Sequence, residues 1–161
     1  MPRRVQTKES VLLSVRAEGS APDDHSQVEA VRYALALCRD LGARLTVLAV
    51  AEQDWTDTHW LCVQERLREE TRTRALKALG GVRVLAEHEG VECLVESRVG
   101  DFYDTVEAYA RDLRPHLLII ACPLPPRSSL RWCQEVSCLL RAHLHCPVVS
   151  LVPWGPRPQK A

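Results

Sequence analysis

His116-Leu-Leu-Ile-Ile-Ala-Cys122 is a short aliphatic run held between Pro115 and the segment Pro123-Leu-Pro-Pro126. A run of this length, bounded by proline, reads as a strand buried on both faces. Such strands belong to parallel sheets sandwiched between helices, where ligands sit beyond the carboxyl ends of the strands. Cys122 to Ser129 is therefore where a ligand crevice is expected. That stretch holds three prolines, Arg127 and two serines, and no glycine.

Upstream of this strand, Phe102, Val106, Tyr109, Ala110 and Leu113 recur at helical spacing behind Gly100-Asp101, with Asp101 as the cap. Val91 to Arg98 alternates apolar and polar residues, which predicts an edge strand with one wetter face. A long charged helix is expected from about His59, with Trp60, Val63, Leu67, Thr71 and Ala75 inward. Gly80-Gly81 weakens it, and Val82 to His88 is read as its continuation after a kink, with a separate short piece as the alternative. Near the start, Ser10 to Val15 and Arg44 to Val50 read as strands. Between them lies a helix opened by Ser26, with Glu29 completing a capping box. Its inner face is Val28, Val31, Leu35, Cys38 and Leu41, and Gly42 ends it. Downstream, Ser129 is expected to cap a helix carrying Leu130, Cys133, Val136, Leu140 and His143, and Cys146 to Val152 is the last strand. Strands alternating with helices imply right-handed crossovers and a parallel sheet in one α/β domain over residues 10–152. Residues 1–9 and the proline-rich 153–161 are expected to be loose.

Lys+Arg and Asp+Glu number 21 each, so the chain lacks the excess of positive charge that general nucleic-acid binding needs. A net charge near zero also favours self-association. No apolar stretch approaches the roughly 20 residues that span a bilayer. Met1 to Lys8 is basic without an apolar core, so no secretory leader is expected. Seven cysteines, an odd number lying mostly in apolar segments, predict buried free thiols in a reducing cytoplasm.

Three stretches resemble the universal stress protein family. Glu29 to Val50 resembles that family's first helix and second strand. Val99-Gly-Asp with Val106 to Ala110 and His116 to Ile120 resembles its third helix and fourth strand. His145 to Val149 resembles its closing strand. The likeness covers Ser10 to Val152. It implies a three-layer α/β/α sandwich of the adenine nucleotide alpha hydrolase-like kind, with a five-stranded parallel sheet of order 3-2-1-4-5. It also implies a homodimer paired through the last strand (Val148, Val149, Leu151, Val152).

ATP-binding members of that family carry glycines after strand four and a Gly-Ser or Gly-Thr about ten residues on, so that backbone N–H groups reach the phosphates. Here the first positions fall near Ala121 to Pro125, where prolines have no N–H to offer. The Gly-Ser pair falls at about Gln134-Glu135, where a carboxylate repels phosphate. His116 replaces the family's usual Asp. The family's adenosine-binding Asp after strand one corresponds either to Glu18, in Glu18-Gly19-Ser20, or to Arg16. The crevice candidates are thus Glu18, Val50, Cys122, Arg127 and Ser129, with no catalytic residue and no metal ligand expected.

Cys133, Cys138, His143, His145 and Cys146 cluster in sequence without the spacing of a zinc site: Cys133 and Cys138 lie about 140° apart around one helix. A reactive thiol at Cys122, activated by Arg127, is a further reading. Ser128 and Ser129 lack the elbow motif of a nucleophilic serine. Trp132 and Trp154 suit either core or a partner surface, and Trp55 and Trp60 lie near the expected crevice mouth. The expected function is a non-enzymatic stress-response or scaffolding domain without bound ATP. The alternatives are an ATP- or AMP-binding module with a rebuilt crevice, and a thiol sensor or enzyme centred on Cys122.

Overall fold

The computed structural model describes residues 8–16, 26–51, 79–122 and 128–151, together with 65, 66, 68–70, 72, 73 and 77. The order of elements is β1 (Ser10–Arg16), α1 (Ser26–Leu41), β2 (Arg44–Ala51), α2 (Gly80–Glu89), β3 (Cys93–Val99), α3 (Phe102–Leu113), β4 (Leu117–Ala121), α4 (Ser128–His143) and β5 (Val148–Leu151). The strands form one sheet in the order β3-β2-β1-β4-β5, and all four pairings are parallel.

Alternation along each strand splits the core into two layers. Val11, Leu13, Val15, Leu45, Val47, Ala49 and Ile119 face α1 and α2. Leu12, Leu48, Val50, Leu118, Ile120 and Val148 face α3 and α4. Central strands covered on both sides need continuous apolar sequence, and β1, β2 and β4 supply it. Each fully buried Leu, Ile or Phe stabilises the fold by about 1.5–3 kcal/mol. The edge position of β3 agrees with its alternating sequence: Val95 and Ser97 are buried, whereas Leu94 and Arg98 are exposed.

Several local expectations change. The inner face of α1 is Ala30, Val31, Ala34, Leu35 and Cys38, while Val28 and Leu41 are exposed. The stripe is centred on two alanines, which hydropathy spacing alone undervalues. Val82 to His88 does not continue the preceding helix. Leu79 breaks it as a turn, and Gly80 and Gly81 open α2. Helix α4 begins at Ser128, so Ser129 lies within its first turn rather than capping it. His143 is exposed, not inward. Gly42 closes α1 with a φ of 64°, as its position predicts. Asp101 caps α3, its carboxylate accepting from the Asp104 N–H at 3.0 Å.

Candidate functional site: the crevice at the carboxyl ends of β1 and β4

Strand order reverses between β1 and β4, and in open α/β sheets that reversal opens a crevice beyond the strand ends. Five side chains converge there from four parts of the fold. Arg16 is the last residue of β1, and Cys122 follows β4. Phe102 opens α3, and Trp132 and Cys133 sit in the second turn of α4.

These side chains pack on one another. The Arg16 guanidinium carbon lies 5.0 Å from the Trp132 ring centroid, within cation–π range. Trp132 meets Phe102 edge-on, with centroids 5.0 Å apart and planes at 61°. Phe102 is fully buried, so the stack is anchored in the α3/α4 core layer beside Val50. Alongside it Cys122 is disulfide-bonded to Cys133, with a Cα–Cα separation of 5.9 Å. Both cysteines are buried, at 3% and 1% exposure. The Cys122 N–H donates to the Leu151 carbonyl at 2.9 Å, so the bridged residue is also held by β5. At the neighbouring strand end the Gly100 N–H donates to the Ala51 carbonyl at 3.0 Å. That backbone donor is committed to the sheet and does not face a ligand.

Each expected crevice residue can now be placed. Val50 is completely buried and forms wall, not contact surface. Cys122 is not a free thiol, which corrects its reading as an activated nucleophile: its sulfur is bonded and out of solvent. Ser129 lies in the first turn of α4. Glu18 and Arg127 lie outside the described residues, as do Trp55, Trp60 and Trp154. At the positions where the resemblance puts a Gly-Ser pair, Gln134 and Glu135 are exposed, and Glu135 accepts from Arg131 at 3.2 Å.

The other cysteines divide by burial. Burial pushes the Cys38 thiol up to about 11, with the neighbouring Cys93 adding to the shift. Burial also raises Cys93 and Cys146. Thiols held neutral in this way are poor nucleophiles. Cys133 is buried and Cys138 exposed on the same helix, so the two do not converge. Among the described residues no group of three or more His, Cys, Asp or Glu is placed to hold a metal ion.

Two features of the crevice escaped sequence reasoning. In the sequence Cys122 and Cys133 carry separate expectations, a strand-end thiol and a helix-core thiol, and the fold joins them. A short crossover from a strand end to the second turn of the next helix was the available signal. The Arg16–Trp132 pairing spans more than a hundred residues of chain and had no local signature.

A three-layer α/β/α sandwich with the 3-2-1-4-5 sheet and a crevice at this switch point is the fold of the universal stress proteins. No protein-family model matches the chain, and no curated protein matches it. Solved structures do. The universal stress protein of Lactobacillus plantarum aligns with a TM-score of 0.65 at 18% identity, covering 89% of this chain and 97% of that one. A universal stress protein family member from Burkholderia pseudomallei aligns at 0.62 and 20% identity, covering 87% and 94%. One from Arabidopsis thaliana with AMP bound aligns at 0.57 and 19% identity, covering 89% and 90%. The chain therefore has a universal-stress-protein-like fold along most of its length. Among the described residues no helix is long and apolar enough to cross a membrane.

Proposed function

We propose that this chain is a non-enzymatic regulatory or scaffolding domain of the universal stress protein kind, one that does not use the crevice for a nucleotide triphosphate. The observation that carries this reading is how the described side chains pack at the crevice. Arg16 lies on Trp132, Trp132 on Phe102, and Cys122 is linked to Cys133 beside them. A nucleotide seated there has to displace a packed aromatic ring. The sequence adds that no glycine occurs between Gly100 and Gly155, so the close backbone approach that phosphate cradles need has no glycine to make it. On this reading the domain carries no cofactor, binds neither nucleic acid nor membrane, and works in the cytoplasm. One bonded cysteine pair counts against a fully reducing setting, whereas Cys38, Cys93, Cys138 and Cys146 are free.

The proposed assembly is a homodimer through β5. That strand lies at the sheet edge, and Val149 is exposed on it. Val152, the last of the residues expected in that interface, lies outside the described residues. Pro147 and Leu151 direct their carbonyls to β4, where Leu118 and Cys122 donate to them. By alternation the Val148 carbonyl points outward from the edge. Arg141 covers it, donating from Nε at 3.1 Å and from Nη2 at 3.0 Å. Strand pairing with a second copy then requires this guanidinium to swing aside, which lowers the gain from pairing. Sedimentation of Val149→Lys should give monomers; an unchanged mass removes the β5 interface from the account.

The second reading, a nucleotide-binding module with a rebuilt crevice, is favoured by the AMP-bound relative of the same fold. Thermal melts separate the two. A ligand at about 100 times its dissociation constant stabilises by roughly 2.7 kcal/mol. Melts unmoved by ATP, ADP and AMP support the first reading, and a saturable rise with any of them supports the second.

A further inference from the structure

At the opposite end of the strands from the crevice, where β4 and β5 begin, α3 and α4 end side by side. Arg114 closes α3 in a left-handed conformation, with a φ of 52° and its N–H on the Ala110 carbonyl. Helix α4 ends at His143, and the Leu144 N–H bonds the Leu140 carbonyl. Between the two ends lies a cleft of about 680 Å³. Small-molecule sites span roughly 300–1,000 Å³.

The cleft is built in two tiers. Ala110 and Pro115 are buried, and Leu144 and Cys146 half-buried, so they form an apolar floor. Burial raises the Cys146 thiol and so keeps that position uncharged. Above the floor stand Arg111, Arg114, His143 and His145, all exposed. Among the described residues no carboxylate lines the cleft.

The charge balance decides what fits. Each helix C-terminus contributes a partial negative charge confined to its last turn, against which Arg114 carries a full and permanent positive charge. Arg111 is paired with Glu107 at 2.6 Å, one turn earlier on α3. What remains is Arg114, beside His143 and His145. The Nδ1 atom of His143 lies 3.1 Å from the Tyr103 hydroxyl and 2.9 Å from the Leu139 carbonyl. Tyr103 in turn feels Glu107, Asp104 and Arg111. Imidazole nitrogens donate or accept hydrogen bonds, so the two histidines add polar partners beside Arg114.

We propose that this cleft binds a small organic anion with an apolar body, its head group held by Arg114 and the two histidines and its body laid on Leu144 and Cys146. The site is independent of the crevice and of any nucleotide. Arg114 presents the planar fork that matches an oxyanion. The apolar floor supplies affinity that a bare inorganic ion does not gain.

The test uses 2-naphthoate as probe, with 2-naphthalenemethanol as its uncharged counterpart and inorganic phosphate as the bare head group. Titrations are followed by backbone amide NMR. Naphthoate should shift the amides of Arg114 and Leu144 to Cys146 saturably. The alcohol and phosphate should each bind about tenfold more weakly or not at all. Arg114→Asn keeps a residue that tolerates the left-handed conformation and should weaken naphthoate about tenfold. His145→Gln, which changes one of the head group's polar partners, should weaken naphthoate several-fold. Equal binding of acid and alcohol, shifts confined to the crevice at the other end of the strands, or no saturable shift would overturn the proposal.

Discussion

Reducing the Cys122–Cys133 bond removes a cross-link whose partners are 11 residues apart in sequence. A loop of that length, closed by a disulfide, restricts the unfolded chain by about 3 kcal/mol at room temperature. Both sulfurs are buried and stay buried as thiols, so the folded state loses little packing. The cost therefore appears almost entirely as unfolded-state entropy. For a chain of this size it corresponds to roughly 6–12 °C in melting temperature. Circular-dichroism melts with and without a phosphine reductant measure it. The variant Cys122→Ser with Cys133→Ser should melt near the reduced protein and ignore reductant. Each single substitution should cost about as much as the pair, because either one abolishes the same link. Alkylation of the unfolded, unreduced protein should label five of its seven cysteines. Seven labelled cysteines, or a melt shifted by less than about 2 °C on reduction, would refute the reasoning.

Other expectations follow from the same packing. Phe102→Ala empties the base of the aromatic stack and should cost about 3–5 kcal/mol in denaturant unfolding, with Trp132 emission shifting as its neighbour is lost. Asp101→Ala removes the cap of α3 and should cost about 1 kcal/mol, whereas Asp101→Asn should be nearly silent. Burial, then the charge of Glu96, pushes the Tyr109 hydroxyl up to about 12 from its usual 10. The folded state thus holds this proton more tightly than the unfolded chain. Its contribution is complete below pH 10 and fades as pH rises from 10 through 12. Phenolate absorbance should show one tyrosine titrating late, and Tyr109→Phe should remove that late step.

How much of this was legible in the sequence depends on how local each signal was. The aliphatic run through Leu118, Ile119 and Ile120 announced a doubly covered strand because burial on both faces leaves no room for polar alternation. Asp101 and Gly42 marked helix ends through chemistry that needs only their neighbours. Leu79 carries no such mark. The break there shows only in the folded chain, where α2 starts at Gly80 and buries Val82 and Ala86 in the core. The crevice was located correctly by strand order, yet its contents were not. Arg16 and Trp132 are distant in sequence, and their contact exists only because β1 and α4 meet across the sheet end. Cys122 reads as a free thiol because its partner lies 11 residues on, and only the short crossover into the next helix hints that the two can meet.

The most direct measurement is a crystal structure grown with saturating Mg-ATP. The account predicts Arg16 still lying on Trp132, the sulfurs of Cys122 and Cys133 still joined, and no nucleotide over the ends of β1 and β4. An ordered nucleotide at that position, with main-chain N–H groups on its phosphates and Trp132 turned away, would contradict it.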